Sequence, residues 1–271
     1  VEGGTKVLSS TLVDPAIKRV YARWKAGSAT DPSVRFYANF GTNEVRVAFR
    51  DGKATVNSTA SSEGRAAAGG TLNIHAKSLV GTGSGTAGSS FATWGNSSGF
   101  GGGGGRIAVR VEETPSDAAT VWRNFTAKGA AFNGNNYASA GTVYLQTGAD
   151  GEGGGTIYVK NSGSSAAWTA LPSVTAGGEN DVYNKASLVL SDNGLVRLFK
   201  SLKMAALTVG TSSKLDLNGK TLTVNTAVLG GAKLKPGTYA AGDAALGDFV
   251  TDSVGGGSLV VKGTGLMLLV R

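Results

Sequence analysis

Gly99-Phe100-Gly101-Gly102-Gly103-Gly104-Gly105-Arg106-Ile107-Ala108-Val109-Arg110-Val111 carries a run of glycines straight into a short alternating segment. Ile107, Val109 and Val111 fall on one side of an extended strand, and Ala108 and Arg110 on the other. Ordering glycine costs more backbone entropy than ordering any other residue. A fold retains such a run where a side chain would collide or where the backbone needs positive φ. The same grammar recurs: Gly69-Gly70 precedes Thr71-Leu72-Asn73-Ile74-His75-Ala76, and Gly153-Gly154-Gly155 precedes Thr156-Ile157-Tyr158-Val159-Lys160. Repetition favours glycine turns between stacked strands over a flexible linker.

Outward from that stretch, punctuation is regular. Strand-like pieces fall at 106–111, 121–126, 142–146, 156–160, 187–190, 195–199, 207–209, 215–217 and 221–224. Asp192-Asn193-Gly194 and Asn218-Gly219 mark turns. The stretch from Leu198 to Leu207 comes nearest to a helical period but is short, and it reads as strand. Residues 81–105 are almost all Gly, Ser, Thr and Ala, which suits turns and short strands of a narrow coil. Residues 1–60 hold the most aromatic strands, with Val34 to Phe40 and Glu44 to Arg50 alternating cleanly.

Composition narrows the class. With 43 Gly against 5 Pro and no three-residue period, collagen is excluded. At 41% apolar residues a core is available and global disorder is not expected. The absence of Cys removes disulfides and thiolate chemistry together. A net charge of +8 suits acidic glycans or anionic surfaces, or serves solubility alone. Basic residues are not interleaved with stacking aromatics, so nucleic acid is not an expected partner. No apolar run reaches the roughly 20 residues of a membrane-spanning helix. Val1-Glu2-Gly3-Gly4 does not open like a signal peptide, so a secreted form is expected to begin after one or inside a longer chain.

Many short strands, no helical period and small interior residues predict an all-β chain, folded as a right-handed parallel β-helix, or solenoid. At about 20–25 residues per coil, the chain makes roughly eleven to thirteen coils. A single domain over 1–271 is expected, with a less regular N-terminal β segment at 1–60. The apolar pieces of 258–271, Ser258 to Lys262 and Leu266 to Val270, are expected to close the C-terminal end.

The residues at 69–76 and Leu79-Val80-Gly81-Thr82-Gly83-Ser84-Gly85, with the glycine run and Arg106-Ile107-Ala108-Val109, resemble glycine-rich right-handed parallel β-helix proteins of bacterial cell surfaces. Gly141-Thr142-Val143-Tyr144-Leu145 and residues 155–160 continue the pattern. Residues 213–262, with Leu215-Asp216-Leu217-Asn218-Gly219-Lys220-Thr221-Leu222-Thr223-Val224, are similar to the repeats of autotransporter-like passenger regions. The resemblance spans about 69–262. It implies secretion or display at a bacterial surface and carries over no catalytic residue.

Candidate chemistry is sparse. Asp150 and Glu152 flank Gly151 in a glycine-rich turn, and Glu179 and Asp181 flank Asn180. Either pair could hold Ca²⁺ or act as paired carboxylates, and a solvated turn is the simpler expectation. No other cofactor is implied. His75, the only histidine, alternates away from Leu72 and Ile74 and is expected to face outward. Arg106 and Arg110 could line a glycan-binding face, with Trp94 and Trp168 in loop-like contexts as sugar-stacking candidates; Trp24, Trp122, Tyr137 and Tyr144 are further aromatics. The leading expectation is a non-enzymatic extracellular scaffold or adhesin segment, with acidic or neutral glycans at a cell surface as candidate partners. The alternative is a carbohydrate-active β-helix that binds or cleaves acidic polysaccharide.

Overall fold

The computed structural model describes residues 102–114, 125–130, 138–161, 167–171 and 184–263 in full, and the backbone of strands at 34–40, 43–50, 53–59, 71–76, 91–94, 131–132 and 136–137. The described residues are all-β, interrupted by short 3-10 turns at Gly148–Asp150 and Ala244–Phe249.

β1 (Val34–Phe40), β2 (Asn43–Arg50) and β3 (Lys53–Thr59) form an antiparallel meander. Thereafter the chain alternates between two sheets. β4 (Thr71–Ala76) and β6 (Arg106–Val111) lie side by side in parallel, while β5 (Phe91–Trp94) and β7 (Phe125–Thr126) extend the meander from β3, also in parallel. After a short hairpin of β8 (Ala131–Phe132) and β9 (Asn136–Tyr137), β10 (Thr142–Thr147) returns parallel to β6.

The glycine run marks a close approach of backbones. A Cβ on Gly141 would strike the carbonyl oxygen of Gly105, and one on Gly104 would strike that of Ala127. The amides use this proximity: Gly104 N donates to Ser139 O at 2.8 Å and Gly141 N to Ala127 O at 2.6 Å. Neither glycine requires positive φ; it is the missing side chain that lets the layers stack.

The next strand, β11 (Thr156–Lys160), reverses direction and pairs antiparallel with β10. Alternation between sheets then resumes through β12 (Thr169–Leu171), β13 (Ser187–Ser191), β14 (Leu195–Leu198), β15 (Leu202–Val209), β16 (Lys214–Asp216) and β17 (Thr221–Leu229). Strands β11, β13, β15 and β17 form one parallel ladder, and β12, β14 and β16 another. Cross-strand partners such as Arg197 and Asp216 sit 19 residues apart, and Asn218 reaches back 20 to Leu198. Consecutive non-buried residues, Ala205-Ala206 and Asn225-Thr226, break the in-out alternation of β15 and β17, where the ladder between them skips Ala205 and Asn225.

An insertion precedes the last layer. β18 (Ala232–Lys233) turns back on β17, and β19 (Gly237–Ala240) lies at the edge of the sheet. β20 (Val250–Thr251) joins β16, and β21 (Ser258–Val261) slots between β17 and β19. Leu266 to Val270, expected to close this end, lie outside the described residues.

Aliphatic columns fill the interior. Leu188 aligns with Leu207 and Ala227, Leu190 with Val209 and Leu229, and Val196 with Leu215 and Val250, all buried. Each such Leu contributes about 1.5–3 kcal/mol through removal from water.

The described residues form two cores, on opposite faces of the large sheet. Ile107, Val109, Val143 and Leu145 belong to one, with Tyr158 packed against it. Ile157, Val159, Leu188 and Leu207 belong to the other, with Tyr144 packed against it. The swap follows from handedness. Crossovers between parallel strands keep one hand. If the strands reverse while the ladder keeps advancing, that hand survives only if the crossovers move to the opposite face. The seam is tied by buried Asn161, whose Oδ1 accepts from Gly129 N at 2.8 Å and whose Nδ2 donates to Ala138 O at 2.9 Å.

Candidate functional site

Because the cores swap faces, each half of the large sheet turns one bare face outward, next to the other half's core. On the N-terminal half, strand alternation puts Arg106, Ala108 and Arg110 of β6 on the bare face, since Ile107, Val109 and Val111 are buried. The parallel register adds Thr142, Tyr144 and Gln146 from β10. From β4 it adds the positions of Thr71, Asn73 and His75, with Asn73 exposed.

Three of these side chains are fixed. The Arg110 guanidinium lies 5.9 Å from the Tyr144 ring centroid, within cation–π range. Tyr144 OH donates to Gln146 Oε1 at 2.7 Å and accepts from Gly155 N at 3.3 Å. Gln146 Nε2 donates to Gly151 O at 2.7 Å. Arg106 and Arg110 are exposed and have no carboxylate partner among the described residues. The result is a polar, cationic ledge backed by the core that holds Tyr144.

An acidic rim bounds the ledge at one end. Glu112 and Glu113 follow β6, and Asp150 and Glu152 lie in the turn after β10; all four are exposed. Asp150 is already occupied: its Oδ2 accepts from Thr147 N at 2.7 Å and from Thr147 Oγ1 at 2.9 Å, holding the 3-10 turn. Among the described residues no three His, Cys, Asp or Glu side chains gather as a metal-binding group. Glu179 and Asp181 lie outside the described residues.

The aromatic candidates separate. Trp94 ends strand β5 rather than lying in a loop, and its side chain is outside the described residues. Trp168 immediately precedes β12, with the Arg197 guanidinium 5.2 Å from its ring centroid. That guanidinium also binds Asp216, so this ring face serves an internal stack of Trp168, Arg197 on β14 and Asp216 on β16. No match to this chain was found among protein-family models, curated proteins or solved structures.

Sequence reasoning reached Arg106, Arg110 and Tyr144 but not their association, nor Gln146. Alternation places Arg106 and Arg110 on one face; only the 36-residue register of Ala108 with Tyr144 brings the ring beneath Arg110. No helix among the described residues is long and apolar enough to cross a membrane.

Proposed function

We propose that the chain is a right-handed parallel β-solenoid serving as a non-enzymatic structural or adhesive segment of a bacterial surface or secreted protein. One observation carries this reading: parallel ladders that stack aliphatic side chains in columns, with layers 19–20 residues apart between β13 and β17. Each layer is sheltered only by its neighbours, so such a stack gains length without a change of principle. Long, thin bodies with repeated lateral faces suit display and adhesion. The test is location: protease applied to intact cells of the source bacterium is expected to release fragments of the chain. Fragments appearing only after lysis would overturn the reading.

A second reading, a module that binds or cleaves acidic polysaccharide, is favoured by two exposed guanidinium groups on one face that have no carboxylate partner among the described residues. Release of unsaturated sugars from a polyuronate by the purified chain would favour cleavage over scaffolding.

A further inference from the structure

We infer that the ledge of Arg106, Arg110, Tyr144 and Gln146 binds an acidic polysaccharide chain through its carboxylates. The inference rests on the adhesive reading above, gives it the ligand class of the second reading, without cleavage, and adds the site.

The argument starts from charge. Arg106 and Arg110 stand on one face, exposed and without carboxylate partners among the described residues. Guanidinium groups pair with carboxylates through two parallel hydrogen bonds. Four residues of extended strand separate the two, about 13 Å at 3.3 Å per residue. That is too far for one small anion to bridge. It suits a polymer that presents acidic groups at intervals.

The surroundings favour a sugar polymer over a nucleic acid. A base needs an open aromatic face for stacking. The Tyr144 ring is half-buried against the core and capped on one face by Arg110. What the ledge offers beside its arginines is hydrogen bonding, from Asn73, Thr142 and the anchored Gln146 amide, which matches sugar hydroxyls. Anchoring matters energetically, because groups already held in place lose less freedom on binding.

The opposite ledge is an internal contrast. There the outward columns read Thr156, Ser187, Ala206, Thr226 and Tyr158, Val189, Thr208, Val228, with no arginine in either; the nearest charges are Lys160, next along β11, and Lys233, paired with Val228. The same change of face thus yields two ledges, and only the N-terminal one carries arginine columns.

The test uses the full chain on immobilised polygalacturonate, with neutral dextran and duplex DNA as competing probes. Binding to polygalacturonate but not dextran is expected. R106S/R110S is expected to weaken it at least about tenfold, and R110K, which keeps charge but loses the fork, by an intermediate factor. K203S/K214S, which removes equal charge at exposed lysines of the other half, is expected to leave it within about twofold. Equal loss in the lysine pair, DNA binding as tight and as arginine-dependent, or no polygalacturonate binding by the folded chain would each overturn the site. Protease release from intact cells is scored separately, so a failed ledge and a failed surface assignment are distinguishable.

Discussion

Arg197 Nε lies 2.6 Å from Asp216 Oδ2 across neighbouring strands, with the carboxylate 1% exposed and the arginine side chain 32% exposed. Asp216 Oδ1 also accepts from Asn218 N at 2.9 Å and Ser253 N at 3.0 Å, so one carboxylate ties three successive layers. Removing one partner of a buried pair leaves the other uncompensated. Asp216→Ala is expected to cost about 3 kcal/mol in urea unfolding, and Arg197→Met less, about 1–2 kcal/mol, because the arginine is partly solvated.

The same corner sets the acid limit. Burial alone would raise the Asp216 carboxyl, but hydrogen bonds from Ser253, Arg197 and Asn218 outweigh it and hold it below the usual range. Asp252 behaves alike: burial is outweighed by bonds from Gly257, Gly219, Gly255 and Val254. In acid the unfolded chain therefore binds more protons, and stability rises with pH. The contribution is complete above the ordinary carboxylate value near 3.9 and is lost as pH falls through the lower folded values. Asp216→Asn/Asp252→Asn is expected to flatten the stability–pH curve below about pH 4, read by denaturant unfolding. An unchanged slope would remove these two groups from the account.

Glycines at the seam and at turns are expected to respond differently. Gly141→Ala forces a methyl against the Gly105 carbonyl and is expected to cost about 3 kcal/mol. Gly231, at φ 91° with open space around its Cα, is expected to cost only about 1–2 kcal/mol as alanine, from backbone strain alone. Thermal unfolding of the two variants gives the order.

Asn161 joins the halves. Asn161→Ala strands the Gly129 amide and the Ala138 carbonyl and is expected to cost about 3 kcal/mol. Hydrogen exchange at Gly129 should accelerate accordingly, which a merely distributed loss of stability would not single out.

Ser213 buries a hydroxyl with no hydrogen-bond partner among the described residues. Ser213→Ala removes that unpaired group at little loss of volume, and is expected to leave stability unchanged or to raise it by up to about 1 kcal/mol. A large loss in calorimetry would contradict the assignment.

Much of the strand pattern was legible because alternation is local. Ile107, Val109 and Val111 read as the inner face before any partner is known, and they are buried. Leu198 to Leu207, read as strand, falls within β14 and β15 apart from the short link at 199–201. The turns were legible too, with a twist: in Asp192-Asn193-Gly194 the positive φ falls on Asp192 and Asn193, while Gly194 is needed against the Val159 carbonyl. The reversal at β11 was harder, since Thr142-Val143-Tyr144-Leu145 and Thr156-Ile157-Tyr158-Val159 alternate identically whichever way they run. The signal was connection length. Residues 148–155 make a shorter link than 192–201 or 210–220, which join parallel neighbours, and an antiparallel return needs only a turn. Contacts such as Arg197 with Asp216, or Arg110 with Tyr144, depend on register between layers, which local spacing does not encode.

β21 enters the sheet after both of its neighbours have been laid down, wedged between β17 and β19. It is therefore the keystone of this end. A ribosome or a protease that stopped short of Ser258 would leave two raw strand margins facing an empty slot, ready to recruit the same strand from another copy.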